Sequence, residues 1–219
     1  MIKNLLFDLG GVIMDIRREN CIAAFHRLGM ADIETFVGDY GQTGPFGDLE
    51  EGKIDADQFH KEVRRHIPHE VTDKEIDEAF NAFLIGIPVR RLEELRKLRK
   101  HYRIYLLSNT NPIMWNQEIA KAFTREGLTI DDYFDGMVTS FEAKCYKPDP
   151  KIFREVETSF GIKPEETIFF DDSKANVEAA ARLGFNTVHV APGTEFYQLI
   201  ETKSVSYTHL RAHETGAYL

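Results

Sequence analysis

Two apolar runs that stop on aspartate constrain this chain most. Leu5-Leu6-Phe7 ends on Asp8, and Ile168-Phe169-Phe170 ends on Asp171-Asp172-Ser173. A third run, Ile104-Tyr105-Leu106-Leu107, ends on Ser108-Asn109-Thr110. Apolar runs of about four residues mark strands buried on both faces of a parallel sheet. Their polar ends emerge at the carboxyl edge, where open α/β sheets bind ligands. Lys147 adds an ammonium from a Lys-Pro-Asp-Pro loop. Carboxylates, a hydroxyl and one ammonium gathered there describe a site for a magnesium ion and a phosphate group. Each residue alone has a plainer reading. Asp171 and Asp172 suit an N-cap for a helix opening at Lys174, Ser108 suits a cap of its own, and Lys147 suits a solvated surface.

The rest of the chain alternates. Helical periodicity over residues 91–101, from about 112, and over 149–160 and 174–183 separates strands ending near residues 107, 139, 170 and 190. Strand–helix alternation predicts an α/β, Rossmann-like three-layer sandwich with a parallel five-stranded sheet. Gly161 and Gly184 fall just past two helices, where C-caps belong. Residues 15–88 differ: apolar residues recur at three- and four-residue spacing over 20–28, 55–66 and 73–84, with a Gly/Pro-containing link at 38–47 and no strand pattern. This reads as a small helical cap inserted after the first strand, with the core formed by residues 1–14 and 89–204.

Composition narrows the function. A chain of 219 residues suits one α/β core with an insert. A formal charge of −9 argues against nucleic acid as a partner. The two cysteines, Cys21 and Cys145, form no Cys-x-x-Cys pair, so they read as reduced thiols. No apolar stretch approaches membrane-span length, and the chain enters a strand too early for a signal peptide, so a soluble cytoplasmic protein is expected, with no membrane partner. Monomer and dimer are equally open. Val205 to Thr215, VSYTHLRAHET, looks like a translated sequencing adapter, and residues 205–219 are set aside.

The segments FDLGGVI, LLSNT, KPDP and FFDDS, in this order and spacing, resemble the haloacid dehalogenase superfamily of phosphohydrolases. The resemblance is to its small-helical-cap subgroup, which includes α-glucose-1-phosphate phosphatase and the phosphatase domain of soluble epoxide hydrolase. It implies Asp8 as nucleophile, forming an aspartyl-phosphate that water hydrolyses. It implies Mg²⁺ held by Asp8, the Gly10 carbonyl and Asp172, and phosphate held by Ser108, Asn109 and Lys147, the last also serving catalysis. Asp171 and Asn176 would support the site from behind. The implied substrate is a small phosphorylated metabolite, a sugar phosphate in first place.

Gly10 departs from the family pattern, which usually places a second aspartate there as general acid and base. General acid–base catalysis is worth about 10²–10⁴-fold. Two readings follow: a phosphatase that finds its proton donor elsewhere, in the cap or the substrate, or a phosphometabolite-binding protein with little turnover. A 2-haloacid dehalogenase is disfavoured by the intact metal-binding layout, and a phosphotransferase by the missing aspartate. Asp15 reads as a capping or hinge residue. His66 and His69 read as solvated loop histidines. Met114 and Trp115 suit pocket lining and core packing equally, and Phe46, Arg17 and Arg18 are possible substrate contacts.

Overall fold

The computed structural model describes residues 1–200; the adapter-like segment lies outside them. Five parallel strands form the sheet: β1 (Asn4–Phe7), β4 (Arg103–Ser108), β5 (Gly136–Thr139), β6 (Thr167–Asp171) and β7 (Asn186–His189), in the order β5-β4-β1-β6-β7. β1 is buried along its whole length: Leu5 to Phe7 are apolar, and the amide of Asn4 donates to Thr167 Oγ1 at 3.2 Å. Alternate side chains serve opposite faces. Leu5 and Phe7 join one core with Leu92 and Leu95 of α5 (Val89–Leu98). Leu6 joins the other, with Phe153 of α9 (Pro150–Phe160) and Ala179 of α10 (Lys174–Arg182). A sheet sandwiched between two helical layers is the expected architecture. Gly161 ends α9 with φ +62°, a conformation that glycine adopts without a Cβ penalty.

Four helices fill the insert: α1 (Arg18–Arg27), α2 (Gly44–Glu50), α3 (Ala56–Arg64) and α4 (Asp73–Asn81). They pack around phenylalanines, with Phe46 touching Phe59 and Phe80 at 5.0 Å between ring centroids and Phe25 at 5.3 Å. Thr72 and Glu75 form a reciprocal capping box that opens α4.

Three features depart from expectation. The insert is bounded by a ribbon in which β2 (Asp15–Ile16) pairs antiparallel with β3 (Leu84–Gly86). Strands of two and three residues are too short to show alternation, so no strand pattern was visible there. α2 lies partly inside the segment read as a link, because Gly44, Pro45 and Gly47 mimic a loop, although proline is at home in a first helical turn. The helix expected from residue 112 begins there as α6 (Pro112–Met114), widens into a π-turn at Trp115–Ile119, and closes as α7 (Ala120–Ala122). The short α8 (Ser140–Ala143) follows β5 and leads toward Lys147. Among the described residues, no helix is long and apolar enough to cross a membrane.

Candidate active site

Register gathers the site. β1 lies between β4 and β6, with Phe7 level with Leu106 on one side and Phe170 on the other. Asp8 therefore leaves the sheet between the ends of its two neighbours, where strand order reverses. Lys147 bridges them: its Nζ lies 2.7 Å from Asp8 Oδ1 and 2.7 Å from Asp171 Oδ2. Asp171, fully buried, also accepts from the Ser173 backbone at 2.8 Å and from the Asn176 amide at 3.1 and 3.2 Å. Its oxygens are thus committed to holding Lys147 and the start of α10. The Leu9 N–H donates to Asp8 Oδ1 at 2.7 Å. Gly11, at φ +73°, lies so close that an added Cβ would overlap the Asp172 carboxylate. A glycine there lets the loop after β1 and the loop after β6 approach one another.

The remaining residues expected at the site fall into two groups. Asn109 grips the Lys147 backbone twice, donating to its carbonyl at 3.0 Å and accepting its N–H at 2.9 Å. Its side chain positions the lysine and keeps one amide hydrogen for a ligand. The Ser108 hydroxyl makes only a 3.4 Å bond to the Asn109 carbonyl, so it can turn to another acceptor in the cavity it lines. Met114 lines that cavity too, whereas Trp115 packs against the core. Phe46, Arg17 and Arg18 do not line it: Phe46 is buried in the insert's core, and Arg18 donates to the Val37 carbonyl. Asp15 is bound to Arg91 at 2.7 Å, a structural tie. His66 is not a free loop histidine, since its Nδ1 lies 2.8 Å from Asp32.

Carboxylate oxygens of Asp8, Asp171 and Asp172 all lie within 4.8 Å of one another. Three carboxylates face one ammonium, and the imbalance shows in the titration of Asp8 and Asp172. Burial, opposed by Lys147 and reinforced by Asp171 and Asp172, pushes Asp8 up to about 8. Burial and the Asp171 charge push Asp172 up to about 6. Lys147 is held above its ordinary value: burial would lower it, but Asp171 and Asp8 outweigh burial. Hard oxygen donors with uncompensated negative charge fit a divalent cation such as Mg²⁺. Asp171 being occupied, Asp8 and Asp172 are the carboxylates left to hold it.

A model of haloacid dehalogenase-like hydrolases matches residues 2–184. The chain belongs to that family. This hydrolase is 39% identical over 198 residues to the D-ribitol-5-phosphate phosphatase of Bacteroides thetaiotaomicron, covering 90% of this chain and 96% of that protein. It is 28% identical to the glyceraldehyde 3-phosphate phosphatase of Pyrococcus furiosus, covering 85% of this chain and 80% of that one. Among solved structures, a haloacid dehalogenase family enzyme of Bacteroides thetaiotaomicron in complex with magnesium and inorganic phosphate superimposes with a TM-score of 0.85 at 42% identity. That match covers 91% of this chain and 99% of the other.

The cavity of this hydrolase has two characters. Phe80, Phe83, Leu84 and Met114 give it an apolar wall, and Asp39, Tyr40, Gln42 and Glu50 give it a polar rim from the insert. Sequence reading missed this rim, because Asp39, Tyr40 and Gln42 lie in a Gly-rich stretch with no periodic signal and Glu50 ends a short helix. Glu50 stands out within it. The side chain is half-buried and, among the described residues, has no hydrogen bond or ion pair. Burial alone pushes its carboxyl from 4.5 up to about 8. An acid whose folded pKa lies above its unfolded one favours the fold while protonated, and that advantage fades as pH rises from about 4.5 toward 8. Glu50→Gln should therefore gain thermal stability relative to the parent between about pH 5 and pH 9. A Tm difference that stays constant across that range would show that Glu50 is solvated.

Proposed function

We propose that this protein is a Mg²⁺-dependent phosphatase that hydrolyses a small phosphorylated metabolite, of the sugar-phosphate or sugar-alcohol-phosphate class, through an aspartyl-phosphate on Asp8. The observation that carries this reading is the Asp8–Lys147–Asp171 array beside Asp172 at the mouth of one cavity. Asp8 Oδ1 is engaged by Lys147 and the Leu9 N–H, which leaves Oδ2 as the oxygen to bond to phosphorus. Lys147 keeps its charge in this setting and places it where the phosphoryl oxygens of a substrate come to rest. Ser108 and the free amide hydrogen of Asn109 donate to those oxygens. Asp171 and Asn176 hold the lysine and α10 in place. The carbonyl of Gly10, with Asp8 and Asp172, would hold Mg²⁺, which screens the carboxylate from the phosphate and stabilises charge on the transferring group.

The helical insert, residues 15–88, acts as the cap that selects the substrate, through the polar rim described above. Ribitol 5-phosphate and glyceraldehyde 3-phosphate, acted on by the similar phosphatases, are the first substrates to try. The protein is read as cytoplasmic, in keeping with its reduced cysteines. Gly10 favours one rival reading, a phosphate binder with little turnover. Phosphate release from p-nitrophenyl phosphate and a panel of sugar and sugar-alcohol phosphates separates the two. Release that stops with EDTA and returns with Mg²⁺ is expected. Full activity after metal stripping would refute the metal's role, and binding without release from any ester would favour the binder.

A further inference from the structure

The phosphatase reading leaves one chemical task unassigned: no side chain at position 10 can protonate the leaving alkoxide. A Cβ on Gly10 would lie 3.2 Å from Ile16 Cδ1, a tight contact at the far end of a side chain. With glycine at position 10, the acid must come from elsewhere on the cavity wall. Its titratable side chains are Asp8, Lys147, Asp172, Asp39, Tyr40 and Glu50. The first three form the phosphate and metal cluster. Asp39 is 77% exposed and lies 3.7 Å from Arg18, and Tyr40 is 60% exposed. That leaves Glu50.

Its position is fixed by the core and not by the insert alone. Glu50 is the last residue of α2, and two residues on, Gly52 (φ +65°) sits against the carbonyl of Phe141 in α8, where an added Cβ would overlap that oxygen. The end of α2 is therefore seated on the segment that leads to Lys147. The charged neighbours on its own turn are occupied elsewhere: Lys53 binds Glu51 at 2.6 Å and lies 3.8 Å from Asp48. On α8, Glu142 accepts from Thr139. Glu50 is left facing the cavity with no protein partner.

We infer that Glu50, supplied by the helical insert, is the general acid and base of this phosphatase, replacing the aspartate absent at position 10. The inference rests on the phosphatase reading above. In the first half-reaction an Asp8 oxygen bonds to phosphorus as the ester P–O bond breaks, and the Glu50 O–H proton passes to the departing alkoxide. In the second, the Glu50 carboxylate takes a proton from water as the water oxygen bonds to phosphorus and the Asp8–phosphorus bond breaks. Inorganic phosphate leaves, and Glu50 is neutral again. Its raised pKa suits the task, because an acid titrating near the working pH both holds and releases its proton.

The test uses substituted phenyl phosphates, which carry no sugar hydroxyls, together with the best sugar phosphate, on the parent and on Glu50→Gln. The loss in kcat should grow with the basicity of the leaving group, reaching on the order of 10²-fold for the alkyl ester and about tenfold less for p-nitrophenyl phosphate. Glu50→Asp should restore part of the alkyl-ester rate. Equal losses on every ester, or none, would overturn the inference while leaving the phosphatase standing. A parent that releases phosphate from no ester would overturn both. Circular dichroism of the variants separates loss of chemistry from loss of fold, and a Glu50→Asp protein that folds but stays as slow as Glu50→Gln on alkyl esters also counts against it.

Discussion

Asp8→Asn should abolish turnover, by at least about 10³-fold in kcat, and leave the fold intact. The substitution keeps the shape of the side chain and the acceptor for the Leu9 N–H, so the loop after β1 has no reason to move. It removes the anionic oxygen that must bond to phosphorus. It also removes a carboxyl whose ionisation burial opposes. Lys147 keeps Asp171 as a partner at 2.7 Å, so no lone charge is left buried. Thermal unfolding and single-turnover phosphate release check the two halves. A folded variant that still turns over would remove Asp8 from the nucleophile role.

Lys147→Met should have the opposite balance, with stability suffering as much as activity. The lysine is 2% exposed and, among the described residues, is the one cation in ion-pair distance of both Asp8 and Asp171. Removing one partner of such an array leaves uncompensated buried charge, which costs about 3–5 kcal/mol. For a chain of this size that corresponds to a fall in Tm of very roughly 6–20 °C. Adding Asp171→Leu should recover part of the loss, because the pair then disappears together. A single variant that loses less than about 1 kcal/mol would show the array to be solvated. The two substitutions are thus distinguishable: one separates chemistry from folding, the other shows where they are joined.

The sheet and its acids were legible for one reason. Strands buried on both faces must be continuous in apolar residues, so the point at which each run turns polar marks the ligand edge, and Asp8, Ser108 and Asp171 all sit on that edge. Lys147 was legible only through its motif, since nothing about a lysine before a proline predicts burial between two carboxylates. The hydrogen bond of His66 with Asp32 spans 34 residues and has no local signature. Glu50 was hidden in the plainest way. Beside Glu51, at the end of a short helix opened by Gly44 and Pro45, it reads as one more solvated acid. Only the fold shows that Glu51 turns to Lys53 while Glu50 faces the cavity.

The ribbon of β2 and β3 has a consequence for how such a chain can change. Asp15 pairs with Gly86 and Ile16 with Leu84, so the two ends of the insert emerge side by side. The core strand order does not depend on what lies between them, and closing a longer or shorter segment across that gap changes the chain entropy only slowly with length. A segment between residues 17 and 83 can therefore change in length through two neighbouring junctions without rerouting a strand of the sheet, although its contacts with the core, such as Gly52 against Phe141, must be kept. If the proton donor belongs to that segment, a change there carries reaction chemistry along with substrate choice, and the core is left as a phosphoryl-transfer platform awaiting its acid.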